Sequence, residues 1–119
     1  MSLSNAAVKL PDAWTPVCAE TDLVASSGVV VWHDGAQVAL FHVPGAQTEL
    51  YAVDNHDPRS GANVIGRGLI GSVQGELVVA APLYKQHYRL RDGRCLEDEG
   101  QVLRVWPVRV NEGRIELGN

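Results

Sequence analysis

The chain has 119 residues, which is typical of one domain and long enough to bury a core without metal or disulfide support. Its formal net charge is -4, which argues against a basic nucleic-acid-binding surface. No apolar run approaches the ~20 residues of a membrane span. The N-terminus lacks the basic segment and apolar core of a secretory signal, so a cytoplasmic location is expected.

The domain boundary is expected near residue 14. Residues 1–13 are taken as an N-terminal tail, in which Met1-Ser2-Leu3 is a candidate cloning scar, and residues 14–119 as the folded domain. The two cysteines, Cys18 and Cys95, are expected to be unpaired thiols that pack as small apolar groups.

The first half of the chain has a hydrophobic period of two, which indicates strands. Residues 29–32 and 37–43 flank Asp34-Gly35, a strong hairpin signal. Residues 50–53 predict another strand. Helix is scarce, with a single turn predicted over residues 19–23.

The second half of the chain predicts three more hairpins, each with glycine in its turn. Their strands are residues 68–73 with 76–80, 88–91 with 94–96, and 102–110 with 114–117. Pro107 suggests an edge or a bulge in its strand, because proline cannot donate a ladder hydrogen bond. Short strands at this spacing predict an all-β sandwich or barrel of antiparallel strands.

Two stretches between the predicted strands are candidates for function. Residues 55–62 are rich in Asn, Asp, Pro, Ser and Gly, which predicts an irregular loop. Residues 82–87 join two strands and carry Lys85, Gln86 and His87 between two aromatic residues. Loops held on a rigid β scaffold are the usual place for function.

The order of strands and loops resembles Rieske-type ferredoxin domains from about Trp14 to Leu117. Within that family the chain is similar to the small subunit of NAD(P)H-dependent assimilatory nitrite reductase. Five segments carry the resemblance. They are Asp54-Asn55-His56-Asp57-Pro58, Arg67-Gly68-Leu69-Ile70, Gln74-Gly75-Glu76-Leu77, Pro82-Leu83-Tyr84-Lys85-Gln86 and Cys95-Leu96-Glu97-Asp98-Glu99.

The resemblance implies a Rieske-like (ISP-type) β fold over residues 14–119 with two former cluster-binding loops. A Rieske cluster is held by two cysteines and two histidines. The matching positions here are Asp57, Arg59, Ala81 and Tyr84. Arginine stays protonated and has no acceptor, and alanine has no ligand atom. We therefore expect no catalytic, cofactor-binding or metal-ligating residue in this chain.

The function that the resemblance implies is that of a non-catalytic small subunit of a cytoplasmic oxidoreductase, which reduces nitrite to ammonia in nitrate assimilation. The implied partner is the large subunit, which uses NAD(P)H, FAD, sirohaem and iron–sulfur clusters. Neither a nucleic acid nor a membrane is an expected partner. The alternatives are a Rieske-type ferredoxin-like electron carrier with substituted ligands and a β-domain that binds an unrelated partner.

The two loops are also the candidate interface with the partner. The residues proposed for this interface are Asp57, Arg59, Arg67, Tyr84, Lys85, Gln86 and His87. Asp57 and Arg59 are expected to form an ion pair with each other or with Arg67 and Lys85. An exposed pair contributes only ~0–1 kcal/mol, so packing of the loops should dominate and Asp57→Ala should not cause severe unfolding.

Two further expectations concern histidine and tryptophan. His56, Asp57 and His87 are a candidate mononuclear Zn²⁺ or Fe²⁺ site, the alternative being that both histidines are solvated or hydrogen-bonded loop residues. The three tryptophans at positions 14, 32 and 106 are first expected in the core. A surface tryptophan would instead be a candidate partner anchor.

Overall fold

The computed structural model describes residues 11–46 and 48–119, and within them the chain forms nine β-strands and two short 3₁₀ turns. The strands are β1 (Trp14–Ala19), β2 (Gly28–His33), β3 (Ala36–His42), β4 (Leu50–Asp54), β5 (Leu69–Val73), β6 (Glu76–Ala80), β7 (His87–Arg89), β8 (Val108–Asn111) and β9 (Arg114–Gly118). Most of the predicted tail at residues 1–13 lies outside the described residues. Within the described part of the chain, no helix is long and apolar enough to cross a bilayer.

The strands form three antiparallel sheets of three strands each, in the orders β1-β9-β8, β2-β3-β4 and β5-β6-β7. This arrangement confirms the all-β fold. The 3₁₀ turn at Glu20–Asp22 confirms the single turn predicted there, and the second turn, Ile65–Arg67, lies between the first functional loop and β5. Strand β1, which was not delimited from the sequence, pairs with β9 and carries a bulge between Pro16 and Cys18.

Three of the four predicted hairpins form around a two-residue turn, although the last of these turns was predicted to have three residues, 111–113. The turn residues Asp34-Gly35, Gln74-Gly75 and Glu112-Gly113 all have positive φ angles, between 51° and 83°. Two consecutive positive φ angles twist the chain in the sense that matches the twist of the flanking strands, and glycine adopts them without steric cost. These local sequence signals therefore locate the hairpins β2–β3, β5–β6 and β8–β9.

The long strand predicted over residues 102–110 is wrong in its first part. The Leu103 N–H donates to the Gly93 carbonyl, and the Trp106 N–H then donates to the Ala52 carbonyl, both at 2.8 Å. The backbone of this segment thus hydrogen-bonds first to the residue 93 turn and then to β4, so it forms no continuous ladder with one strand before β8. The segment crosses between sheets, which its alternating apolar pattern did not reveal.

The strand predicted over residues 94–96 is also wrong. In the described structure, residues 94 and 95 make only two isolated bridges, Tyr88–Cys95 and Arg94–Val102, and β7 ends at Arg89. From Cys95 the chain instead closes a small loop, in which the Cys95 N–H donates to the Gln101 carbonyl at 3.1 Å. This loop, residues 95–101, lies beside the second of the two candidate loops, residues 82–87.

The β2-β3-β4 sheet separates two hydrophobic cores. Side chains of β3 alternate between them, with Val38 and Leu40 in one core and Ala39 and Phe41 in the other. The second of these cores also contains Tyr88, which lies under the functional loops. Full burial of a large apolar side chain contributes roughly 1.5–3 kcal/mol, so the two cores hold the scaffold that supports the loops.

The tryptophans do not share one environment. Trp106 is buried in the core, as expected, and Trp14 is half-buried beneath the guanidinium of Arg109, which lies 4.3 Å from its ring centroid. The expectation is wrong for Trp32, which is 69% exposed. Successive side chains of a strand point to opposite faces, so the packing of Val31 into one core turns Trp32 to the other face.

Candidate functional site

The first loop, residues 55–62, follows β4 and is closed by its own backbone. The Asp57 N–H donates to the Ala62 carbonyl, and the Gly61 N–H donates back to the Asp57 carbonyl, both at 2.8 Å. Gly61 has a φ of 78°, a conformation that glycine adopts at little cost. These bonds hold Asp57 at the base of a tight turn.

The second loop, residues 81–86 between β6 and β7, has the same two backbone hydrogen bonds as the first loop. The Ala81 N–H donates to the Gln86 carbonyl and the Lys85 N–H donates to the Ala81 carbonyl, both at 2.9 Å. Lys85 takes the place of Gly61 and also has a positive φ, 59°. Asp57 and Ala81 are therefore equivalent positions in two loops of the same backbone form.

Asp57 is completely buried, and its carboxylate accepts four hydrogen bonds, three at Oδ1 and one at Oδ2. It accepts from the Arg59 N–H at 3.1 Å, the Ser60 hydroxyl at 2.9 Å, the Gln86 amide at 2.9 Å and the Tyr88 hydroxyl at 2.9 Å. Two of these donors belong to its own loop and two to the second loop and β7. The carboxylate thus ties the two loops together from inside.

Tyr88 is the residue of this network that sequence reasoning missed. Burial raises the pKa of its phenol, and the hydrogen bond to Asp57 adds to the rise, whereas the Gln86 amide that donates to the phenol oxygen lowers it. The phenol therefore stays protonated and remains a donor. The signal available from the sequence was the strand alternation around Tyr88, which predicts an inward side chain but not its partner.

The surface ion pair expected between Asp57 and Arg59 is wrong. Asp57 takes part in no ion pair among the described residues, because its carboxylate points inward to neutral donors. Arg59 points outward, and its guanidinium carbon lies 4.9 Å from the ring centroid of Tyr84. Tyr84 is 59% exposed. Arg59 and Tyr84 form a cation–π pair that joins the tips of the two loops.

The two loop histidines do not meet at Asp57. The imidazole Nδ1 of His56 lies 3.1 Å from the Asn63 side-chain oxygen, and that of His87 lies 2.6 Å from the Glu97 carboxylate. Across residues 11–46 and 48–119, no group of three or more His, Cys, Asp or Glu side chains is arranged to hold a metal ion. The proposed mononuclear set is not brought together.

The four positions that correspond to Rieske ligands do not fit an iron–sulfur cluster. Asp57 already accepts four hydrogen bonds, and Ala81 presents a buried methyl group. Arg59 has no acceptor atom to offer a metal, and its guanidinium lies against the Tyr84 ring. The nearby thiol of Cys95 is not a substitute, since burial raises its pKa and it donates to Glu97 at 3.6 Å.

The structure divides the seven residues proposed for the partner interface. The exposed residues are Arg59, Arg67, Tyr84 and Lys85. His87 is half-buried, and Asp57 and Gln86 are buried. The buried pair supports the loops from below, so a partner is expected to touch only the others. Leu83, which was not proposed, is 57% exposed beside Tyr84.

Glu97 fastens the 95–101 loop to the second functional loop. Its carboxylate accepts from the His87 backbone N–H at 2.8 Å and lies 2.6 Å from the His87 imidazole. Burial by itself raises the pKa of Glu97, but the hydrogen bonds from His87 outweigh it, and the pKa lies below its ordinary value. The folded state thus binds a proton at Glu97 less tightly than the unfolded state.

This shift predicts a loss of stability in acid. A carboxyl group whose pKa is depressed in the folded state stabilises the fold above its unfolded pKa, about 4.3, and loses that contribution as the pH falls through the folded value. Glu97→Gln should therefore reduce the difference in unfolding midpoint between neutral and acid pH, measured by urea denaturation. An unchanged pH dependence in this variant would exclude Glu97 as a contributor.

The comparisons with known proteins agree with this geometry. Residues 13–118 match the model of the family described as the Rieske-like [2Fe-2S] domain. The nitrite reductase (NADH) small subunit of Salmonella typhimurium is 41% identical over 104 residues, which cover 87% of this chain and 95% of that protein. The NMR structure of the E. coli protein NirD has a TM-score of 0.80 and 37% identity, covering 90% of this chain and 96% of that one.

A third relative is much longer than this chain. The nitrite reductase [NAD(P)H] large subunit of Klebsiella oxytoca is 41% identical over 106 residues, which are 89% of this chain but only 11% of that protein. A domain of this kind is therefore part of the same polypeptide as a large subunit in that organism. The chain itself belongs to the Rieske-like [2Fe-2S] domain family and, within it, to the small subunits of NAD(P)H-dependent nitrite reductase.

Proposed function

We propose that the chain is the non-catalytic small subunit of a cytoplasmic nitrite reductase and docks on its large subunit through the exposed tips of the two loops. The large subunit takes electrons from NAD(P)H and reduces nitrite to ammonia for nitrate assimilation. Its FAD, sirohaem and iron–sulfur clusters carry the redox chemistry. The role of the small subunit is to stabilise or gate the large one.

The observation that carries this proposal is the set of four hydrogen bonds to the buried Asp57 carboxylate, at a position that the resemblance matches to a Rieske cluster ligand. Its four hydrogen bonds occupy the carboxylate oxygens and lock the two loops in place without a cluster. Loops that are fixed in this way do not provide ligands for a redox centre, but their surface is preorganised for binding. Preorganised surfaces lose little conformational entropy when they bind.

The loop-tip surface, defined by Arg59, Leu83, Tyr84 and Lys85, has the composition of an interface centre. Each of these residues is exposed, and together they provide an aromatic ring, an aliphatic side chain and two cations. Tyrosine and arginine are enriched among the residues that dominate binding energy. The cations also favour encounter with an acidic patch on the partner.

Trp32 adds an apolar anchor at the side of the first loop. It lines a shallow pocket together with His56 and Asn63, which belong to the first loop or lie directly after it. An exposed tryptophan next to a rigid loop is the kind of residue that becomes buried in a complex. This position supports docking by the loop-bearing face.

The fusion in Klebsiella oxytoca supports the identity of the partner. When two domains are part of one polypeptide, the linker holds each at a high effective concentration near the other. When the same domains are separate chains, only an interface between them can keep them together. The observation favours the large subunit over an unrelated partner.

The direct test compares the large subunit of the same organism produced alone and produced with this chain. We expect co-elution of the two chains and a higher rate or longer lifetime of nitrite-dependent NADH or NADPH oxidation in their presence. The control omits nitrite, so that flavin oxidase activity is subtracted. Identical activity, lifetime and elution with and without the chain would overturn the proposed function.

A further inference from the structure

The second loop holds a lysine in a backbone conformation that favours glycine. Lys85 has a φ of 59°, in the left-handed region where the Cβ atom of an L-residue crowds the following carbonyl oxygen. The equivalent residue of the first loop is Gly61, with a φ of 78°. Their N–H groups close the same kind of turn, Gly61 to the Asp57 carbonyl and Lys85 to the Ala81 carbonyl. Of the two equivalent positions, only the one in the second loop therefore carries a side chain.

Positive φ angles also occur at other described residues that are not glycine. Asp34, Gln74 and Glu112 begin the two-residue turns of hairpins, where a positive φ matches the twist of the strands. Ser26 has a φ of 58° and lies in the segment before β2. Lys85 is the member of this set that lies on the loop-tip surface, so its location distinguishes it from the others.

The ammonium group of Lys85 is available to a partner. Lys85 is exposed, and none of the ion pairs among the described residues includes it. The Glu97 carboxylate lines the same crevice, but it accepts from the His87 backbone and lies 2.6 Å from the His87 imidazole. The guanidinium of Arg59 lies against the ring of Tyr84. Of the two cations of the loop-tip surface, Lys85 is thus the one without such a contact in the described part of the chain.

We propose that the ammonium group of Lys85 forms an ion pair with a carboxylate of the large subunit, and that this contact outweighs the cost of the left-handed conformation in the complex. The inference rests on the proposed function and names the chemistry of one contact in it. Residues in sparsely populated backbone conformations concentrate at binding sites, where the surrounding structure holds them in place. In the second loop, two backbone hydrogen bonds at 2.9 Å hold the backbone around Lys85.

The charge of the chain favours a carboxylate as the partner group. The formal net charge is -4, so an exposed cation on a docking surface is a local exception to the charge of the whole chain. Complementary charges orient two proteins and raise their rate of encounter. A carboxylate of the large subunit would find at Lys85 a cation whose backbone is already ordered, so little conformational entropy is lost there on binding.

Lys85→Gly tests the backbone and the contact together. Glycine adopts the left-handed conformation without steric cost, so the midpoint of urea denaturation should rise. The greater freedom of glycine in the unfolded chain offsets part of this gain. The same variant should bind the purified large subunit about tenfold more weakly, because the charged group is removed. Stability and affinity are thus expected to change in opposite directions.

Two further variants separate the charge of Lys85 from its backbone. Lys85→Asn is neutral and tolerates the left-handed conformation, so it should lose as much affinity as the glycine variant. Lys85→Arg keeps the charge and the left-handed conformation, and should match the parent in affinity and in unfolding midpoint. Raising the NaCl concentration from about 0.05 M to about 0.5 M should narrow the difference in affinity between the parent and Lys85→Asn, because salt screens the ion pair.

The chain offers a matched control for the backbone and one for the charge. Ser26→Gly relieves a similar φ angle and should raise the unfolding midpoint without a change in affinity. The Ser26 N–H donates to the carbonyl of His42, which pairs with the first residue of β4, whereas the first loop follows the last residue of that strand. Arg114→Gln removes one exposed positive charge from β9 and should leave the affinity unchanged.

The outcomes separate this inference from the proposed function. Absence of binding by the parent chain would overturn both. Binding by the parent chain with equal affinity for Lys85→Gly, or an unfolding midpoint of Lys85→Gly that does not rise, would overturn the inference alone. Equal losses of affinity in Lys85→Arg and Lys85→Gly would exclude a carboxylate as the partner group. A higher midpoint with weaker binding in Lys85→Gly, and parent-like binding in Lys85→Arg, is the expected result.

Discussion

Asp57→Ala is expected to lower the free energy of unfolding by about 3 kcal/mol or more. The substitution removes an acceptor of four hydrogen bonds and leaves one N–H of Gln86 and the hydroxyl of Tyr88 buried without that acceptor. A loss of this size is a large fraction of the roughly 5–15 kcal/mol that stabilises a typical domain. The measurement is equilibrium urea denaturation, followed by the fluorescence of the tryptophans.

The buried network also predicts how related variants behave. Tyr88→Phe keeps the ring but removes the hydroxyl that donates to Asp57 and accepts from Gln86, so it should lose about 1–3 kcal/mol. The double variant with Asp57→Ala should lose less than the sum of the two, because both changes remove the same hydrogen bond. Glu99→Ala, an exposed acidic position, is the control and should stay within about 0.5 kcal/mol of the parent.

The size of the Asp57→Ala effect decides between two interpretations of this residue. An exposed ion pair, as expected from the sequence, would contribute only ~0–1 kcal/mol. A measured loss below about 1 kcal/mol would therefore agree with the surface interpretation and contradict the role of the carboxylate as the internal link between the loops.

Truncation of both loop-tip side chains, Arg59→Ala with Tyr84→Ala, is expected to weaken binding to the large subunit by about 30-fold. The cation–π pair joins an aromatic ring and a guanidinium at the tips of two rigid loops, so both are ordered before the partner arrives. Both side chains are exposed in the free chain, and their removal should change the free energy of unfolding by less than about 1 kcal/mol. Surface-immobilised large subunit and a titration of each variant give the dissociation constants.

A matched control accompanies this measurement. Arg114→Ala removes an exposed arginine from β9, in a different sheet, and should leave the affinity close to that of the parent. Equal affinities for the parent and the loop-tip double variant would contradict docking by these loops. Binding by the folded Arg114→Ala control shows that the assay detects the complex.

Local features of the fold were predictable because they depend on neighbouring residues. Alternation of apolar and polar side chains located β2 to β6, and turns such as Asp34-Gly35 located three hairpins. The resemblance of residues 54–58 and 82–86 to Rieske loops identified the candidate site, and the loops have matching backbone hydrogen bonds. Tertiary contacts were not needed for these predictions.

Errors arose where the environment of a residue depends on distant parts of the chain. Residues 102–107 alternate like a strand, but their backbone partners change from Gly93 to Ala52 as the segment crosses between sheets. Trp32 is apolar and lies on a strand, yet its face of β2 is left exposed. The local sequence pattern predicts neither the crossing of residues 102–107 nor the exposure of Trp32.

By itself, the sequence determined strands β2 to β6, the positions of the tight turns and a resemblance that matches Asp57, Arg59, Ala81 and Tyr84 to cluster-ligand positions. Only the tertiary structure decided that Asp57 turns inward to Tyr88 while Arg59 turns outward to Tyr84. Turn and strand preferences act between adjacent residues. Burial and hydrogen-bond partners depend on segments that meet only when the chain is folded, and those contacts hold the two loops around the Asp57 carboxylate.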